Sequence, residues 1–230
     1  MPAFPFPRAA RRALLAGGAL AVAALSVVAA SGSAATAAPA APPASSSSAR
    51  VPGPVPVTVD PATTAYLVLD LTSAVCTPNP SCVASLPAAA GLLTRARAAG
   101  ALVVYSKTVH PGDAVLPPVA PLPGEPVVTA SPDKFIGTDL AQVLSSHGIK
   151  TVVLVGTKSN GAIMYTSLEA NALGYTVVVA EDGVTADTPY IMRYSLFQLL
   201  NQPGFTNAQN VPDAADAVTL STTKLVTFGS

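Results

Sequence analysis

Residues 133–186 read DKFIGTDLAQVLSSHGIKTVVLVGTKSNGAIMYTSLEANALGYTVVVAEDGVTA. Two β-branched runs, Thr151 to Gly156 (TVVLVG) and Thr176 to Ala180 (TVVVA), flank a stretch from Asn160 to Leu173 with helical spacing. A further helical stretch, Asp139 to His147, precedes the first run. Gly148 and Gly174 stand where each helix has to stop, because glycine accepts the left-handed conformation that closes a helix. Short runs without alternation are expected of strands covered on both faces, and strand, helix, strand in succession gives parallel strands with a right-handed crossover.

The same alternation continues outward. Thr64 to Leu71 (TAYLVLDL) and Ala101 to Ser106 (ALVVYS) read as strands joined by a helix over about Leu86 to Ala99, with Gly100 as its stop. A helix is expected from Tyr190 to Asn201, and Ala217 to Ser221 (AVTLS) as an edge strand. The fold class is therefore α/β, a three-layer α-β-α arrangement with a mostly parallel, Rossmann-like sheet.

The 230 residues carry 12 Lys+Arg against 12 Asp+Glu, and half of them are hydrophobic. Zero formal charge lacks the basic footprint of a nucleic-acid binder, and this apolar content offsets the ordering entropy that keeps polar chains disordered. Residues 1–37 read as an export signal: Arg8, Arg11 and Arg12 precede an uncharged run from Ala13 to Ala30 and a small-residue Ala35-Thr36-Ala37 site. Arg11-Arg12 also fits a twin-arginine leader, so either export route stays open. Cleavage removes three Arg, turning the zero balance into −3, and leaves no stable membrane association. Residues 38–56, rich in Ala, Pro and Ser, are expected to be a linker, and 57–230 the folded domain. The destination is extracellular, where Cys76 and Cys82, enclosing five residues, are expected to form a disulfide.

Open parallel sheets place ligand sites beyond the carboxyl ends of their strands. Asp70 closes the first long strand, Ser106 to His110 follow the second, and Gly156 to Ala162 join the third to its helix. The Pro-rich passage from His110 to Pro132 is expected to arch over that edge as a lid. Ser159 reads either as a helix N-cap or as a substitute nucleophile. Lys158 reads as a cation for an anionic substrate or as a solvated side chain, and Lys134 either as a partner of Asp70 or as a surface mate of Asp133 or Asp139. Thr157, Lys158, Ser159 and Asn160 form a turn able to offer backbone N–H groups to an oxyanion.

The strand TAYLVLD ending in Asp70, the block F-x-G-T-D-L (Phe135 to Leu140), G-x-x-x-N (Gly156 to Asn160) and A-x-x-x-G-Y (Ala170 to Tyr175) together resemble the isochorismatase-like hydrolases, also called cysteine hydrolases, which include nicotinamidases and related amidases. The resemblance covers about Thr64 to Leu220. It implies a catalytic Asp at Asp70, a Lys before the F-x-G-T segment, and a Cys at the position held here by Ala162. The family Lys lies several residues upstream of the Phe, where this chain has Thr129-Ala130-Ser131, whereas Lys134 abuts Phe135.

A methyl group cannot attack a carbonyl, so the thioester route to amide hydrolysis is closed. Family members that hydrolyse the vinyl ether of isochorismate without the Cys use the Asp as an acid, and Asp70 with Lys134 would support that chemistry. The nicotinamidase-type metal site needs an Asp two residues before its His, and Thr108 precedes His110; no metal and no cofactor are expected. Two functions follow: an exported hydrolase of a small carboxylated or cyclic metabolite, or a catalytically silent relative that binds small molecules or assembles, with a homo-oligomer possible in either case.

Overall fold

The computed structural model describes residues 50–215 and 217–229. The expected export signal and residues 38–49 of the expected linker lie outside the described residues. In chain order the elements are β1 (Val57–Val59), β2 (Thr64–Leu69), α1 (Pro80–Ala98), β3 (Leu102–Lys107), β4 (Val127–Thr129), α2 (Leu140–Ser146), β5 (Thr151–Thr157), α3 (Met164–Ala172), β6 (Thr176–Thr185), α4 (Pro189–Leu200), β7 (Asn201–Gln202), β8 (Phe205–Thr206), β9 (Val218–Ser221) and β10 (Val226–Phe228).

Six strands form one parallel sheet in the order β4-β3-β2-β5-β6-β9. Successive side chains of β2 serve opposite faces, as strand geometry requires. Tyr66 and Val68 pack with α1, while Ala65, Leu67 and Leu69 pack with α2, α3 and α4. The architecture is the three-layer α-β-α sheet expected from the alternating runs.

Helix α1 and strand β6 both run beyond the bounds read from the sequence. Helix α1 begins at Pro80 rather than Leu86, because Asn79 Oδ1 accepts from the Ser81 and Cys82 N–H groups and Pro80 suits the first helical position. The helix continues through Pro87. Strand β6 continues past Ala180 to Thr185 after a register shift against β5. Close packing demands glycine at two places near the shift: a Cβ on Gly156 would stand 1.9 Å from the Leu69 backbone O, and one on Gly183 2.6 Å from the Val155 side chain at Cγ1.

The 110–132 passage is built into the body of the domain. Its β-branched run Val127–Thr129, masked in the sequence by flanking prolines, pairs with β3 as an edge strand, and Val119 and Val128 are buried in the two cores. A forked ion pair from Arg97 to Glu125, at 2.7 and 2.8 Å, ties the passage to α1. The linker reading also gives way at residues 51–56. Val51 and Val55 pack against the cores, Val55 N–H donates to Leu220 C=O at 3.0 Å, and Ser221 Oγ donates to Val55 C=O at 2.7 Å. Valines at alternate positions from Val55 to Val59 outweigh the prolines between them. Cys76 and Cys82 are bonded as expected, with Cα atoms 5.2 Å apart, across the turn that leads into α1.

Candidate active site

Registers Leu69↔Ser106 and Leu69↔Gly156 set the carboxyl ends of β3, β2 and β5 side by side. Immediately beyond β2, Asp70 adopts φ +52°, a left-handed conformation that Asp tolerates better than most residues. Its N–H donates to Ser106 Oγ at 3.1 Å, and Ser106 Oγ donates to Asp70 Oδ1 at 2.7 Å. Lys134 Nζ lies 2.8 Å from Asp70 Oδ2 and donates to Ala130 C=O at 2.9 Å. The Lys134 side chain is 1% exposed and that of Asp70 8%. Of the two orientations open to Lys134 in the sequence, the fold adopts the inward one.

The loop between β4 and α2 makes that possible. Lys134 N–H donates to Thr166 Oγ1 of α3 at 3.2 Å, and Thr138 Oγ1 donates to Lys134 C=O. The Phe135 ring stacks on Tyr175, with centroids 6.3 Å apart. With Phe135 held by Tyr175, Lys134 points into the strand ends. Burial pushes the Asp70 carboxyl above its ordinary range; the Lys134 charge and the hydrogen bonds from Lys134 and Ser106 oppose that rise without cancelling it.

Thr157, Lys158, Asn160 and Ala162 line one cavity of about 330 Å³ with Asp70 and Lys134. Ala162 is buried within a single π-turn, Ser159–Ile163, that leads into α3. Lys158 is half-exposed and pairs with Asp187 at 2.8 Å, while Thr157 Oγ1 accepts from Thr185 Oγ1 at 2.8 Å. Ser159 leaves the group. Its hydroxyl sits 3.0 Å from Ser195 Oγ, whose own hydrogen goes to Ile191 C=O, so the Ser159 hydrogen is committed to Ser195. Ser159 thus neither lines the cavity nor caps a helix. The N–H groups of Gly161 and Ile163, beyond the expected oxyanion turn, both return to Lys158 C=O.

Two residues went unassigned in the sequence reading. Ser106 was visible only as a strand end, and its partnership depends on the β2–β3 register. Asp113 receives Ala74 N–H (2.9 Å), Thr108 N–H (3.0 Å), Thr108 Oγ1 (2.6 Å) and Ser73 Oγ (3.3 Å), clamping the loops after β2 and β3 together. Burial alone would raise its pKa, but these donors bring it down to about 2. A depressed carboxylate stabilises the fold above its unfolded pKa and loses that contribution as pH falls through the folded value. Wild type is therefore expected to lose roughly 2 kcal/mol more than Asp113→Asn between pH 5 and pH 2, read from denaturant midpoints.

The isochorismatase domain model matches residues 64–207, a span that contains Asp70, Lys134 and Ala162. The chain belongs to the isochorismatase family. This isochorismatase-family chain is 33% identical over 113 residues to the secreted isochorismatase effector of Verticillium dahliae, covering 44% of the chain and 60% of that protein. It is 29% identical over 151 residues to the maleamate amidohydrolase of Pseudomonas putida, covering 52% and 71%. A streptothricin hydrolase of Streptomyces noursei is 36% identical over 111 residues, covering 43% and 40%. The chain therefore spans less than two thirds of the length of the first and third of these relatives.

Among solved structures, a cysteine hydrolase from Pseudomonas syringae pv. phaseolicola aligns with TM-score 0.63 at 21% identity, covering 76% of this chain and 95% of that one. An isochorismatase family protein from Desulfovibrio vulgaris aligns at 0.60 and 23%, covering 70% and 95%. Both share the fold. Asp70, at a position that the resemblance marks, is in contact with Lys134, which stands downstream of the family Lys position; Ala162 lines the cavity beside them.

Proposed function

We propose that the chain is an exported hydrolase of a small carboxylated or cyclic metabolite, in which Asp70 acts as the acid and Lys134 as its charge partner. The observation that carries the reading is the 2.8 Å contact of Lys134 Nζ with Asp70 Oδ2, both side chains buried, at the wall of a cavity sized for a small ring. A buried ion pair is costly to desolvate and is weak support for stability, which turns attention to chemistry at an open strand end.

The reaction that suits these groups is addition of water to an enol ether. Asp70 gives its proton to the terminal carbon of the double bond, the ether oxygen shares the positive charge, and water adds to the cationic carbon while its proton returns to the Asp70 carboxylate. The hemiketal then opens to a carbonyl compound and an alcohol. Both cysteines are in the disulfide, so the chain supplies no thiol for the alternative route through a thioester. The Verticillium relative is named a secreted isochorismatase effector, in keeping with a hydrolase that carries an export signal over residues 1–37.

Profiling the purified mature chain against enol ethers, esters and amides tests the reading. Turnover confined to enol ethers is expected, and Ala162→Ser is expected to retain it, because no step uses that side chain. Binding without product from any class would instead favour a silent relative that keeps the pocket.

A further inference from the structure

We infer that Ser106 is the positioning residue of Asp70, fixing the plane of its carboxyl group and the share of time it spends ionised. The inference rests on the hydrolase reading above and deepens it. The contact is reciprocal: Asp70 N–H donates to Ser106 Oγ at 3.1 Å, and Ser106 Oγ donates to Asp70 Oδ1 at 2.7 Å. Because Oγ already accepts from that N–H, its one hydrogen is committed to the carboxyl group. Oδ2 faces Lys134 Nζ at 2.8 Å, and a further Lys134 hydrogen goes to Ala130 C=O at 2.9 Å.

One donor on each oxygen restrains rotation of the carboxyl group and leaves one lone pair of each oxygen for the transferable proton. Ser106 is fully buried, so bulk water has no access to replace its hydroxyl, and the Leu69↔Ser106 register fixes its place. The neighbouring sequence offers no substitute, since Leu69 and Leu71 are apolar.

The charged and titratable groups around Asp70 are Lys134, from the loop after β4, and Asp113, from the loop after β3, while His110 and Lys158 line the same cavity. Burial first, and Asp113 weakly, favour the protonated acid; Lys134 and Ser106 favour the carboxylate. Loss of the Ser106 donor therefore moves Asp70 further toward the protonated form.

The test is a carboxyl-carbon NMR titration of the mature chain, with the Asp70 signal assigned by its disappearance in Asp70→Asn, run alongside rate measurements on the same samples. Ser106→Ala is expected to raise the Asp70 midpoint by about one pH unit and to lower kcat about tenfold with KM little changed, and Ser106→Thr to restore both. Should Ser106→Ala fail to fold, Ser106→Cys, a weaker donor of similar shape, is read by the same midpoint. An unmoved midpoint in a folded variant overturns the inference, as does a Thr variant that recovers thermal stability but not the midpoint. A midpoint that moves as expected in a protein that turns nothing over would keep the positioning role and reject the hydrolase reading.

Discussion

Asp70→Asn is expected to reduce turnover by about 10²–10⁴-fold, the contribution a placed general acid makes. The side chain keeps its shape and its carbonyl oxygen still accepts from Ser106, but the buried Lys134 loses its counter-charge, so turnover is compared at a temperature where circular dichroism shows the less stable variant folded. In the wild type, activity is expected to fall as pH rises through the Asp70 pKa, which burial holds above the ordinary carboxylate range against the pull of Lys134. Any residual rate in the Asn variant should lack that limb. An Asn variant that turns substrate over at the wild-type rate would reject Asp70 as the acid.

Lys134→Met has a large effect on stability, because it leaves the Asp70 carboxylate buried without its cation. Breaking one side of a buried pair costs about 3–5 kcal/mol, a large part of the 5–15 kcal/mol that ordinarily holds a domain together. The sign of its pH dependence follows from Asp70. With Lys134 absent the carboxyl pKa climbs further, and an acid whose folded pKa exceeds its unfolded value stabilises the fold as pH falls through the folded value. The deficit of Lys134→Met is thus expected to shrink on acidification from neutral pH, measured by urea midpoints. The double variant Asp70→Asn/Lys134→Met, which buries no charge, is expected to recover most of the stability and none of the turnover. A single variant as stable as wild type at neutral pH would show that the pair is solvated in solution.

The position of Asp70 was readable because strand-end location is a property of the sequence pattern itself: an Asp closing an apolar run in an alternating β/α chain has one place to go. Lys134 was ambiguous because its two neighbours of opposite charge, Asp133 and Asp139, offered surface partners, and the contacts that turn it inward come from Thr166 and Tyr175, more than thirty residues away. Ser106 and Asp113 stayed hidden for a related reason, since register between β2 and β3 and convergence of two loops are long-range facts. Ser159 misled because a hydroxyl before a helix fits two local rules, whereas its partner is Ser195 on a helix that the sequence places 36 residues on. Edge strand β4 was concealed by composition, three β-branched residues being outweighed by the surrounding prolines.

The pairing of Val57–Val59 with Val226–Phe228 bears on how the protein is made. The strand Val57–Val59 has no mate until Val226–Phe228 has been synthesised, so a nascent domain holds an unsealed edge until then. A product truncated before Val226 would carry its leading strand unpaired and exposed to quality-control proteases.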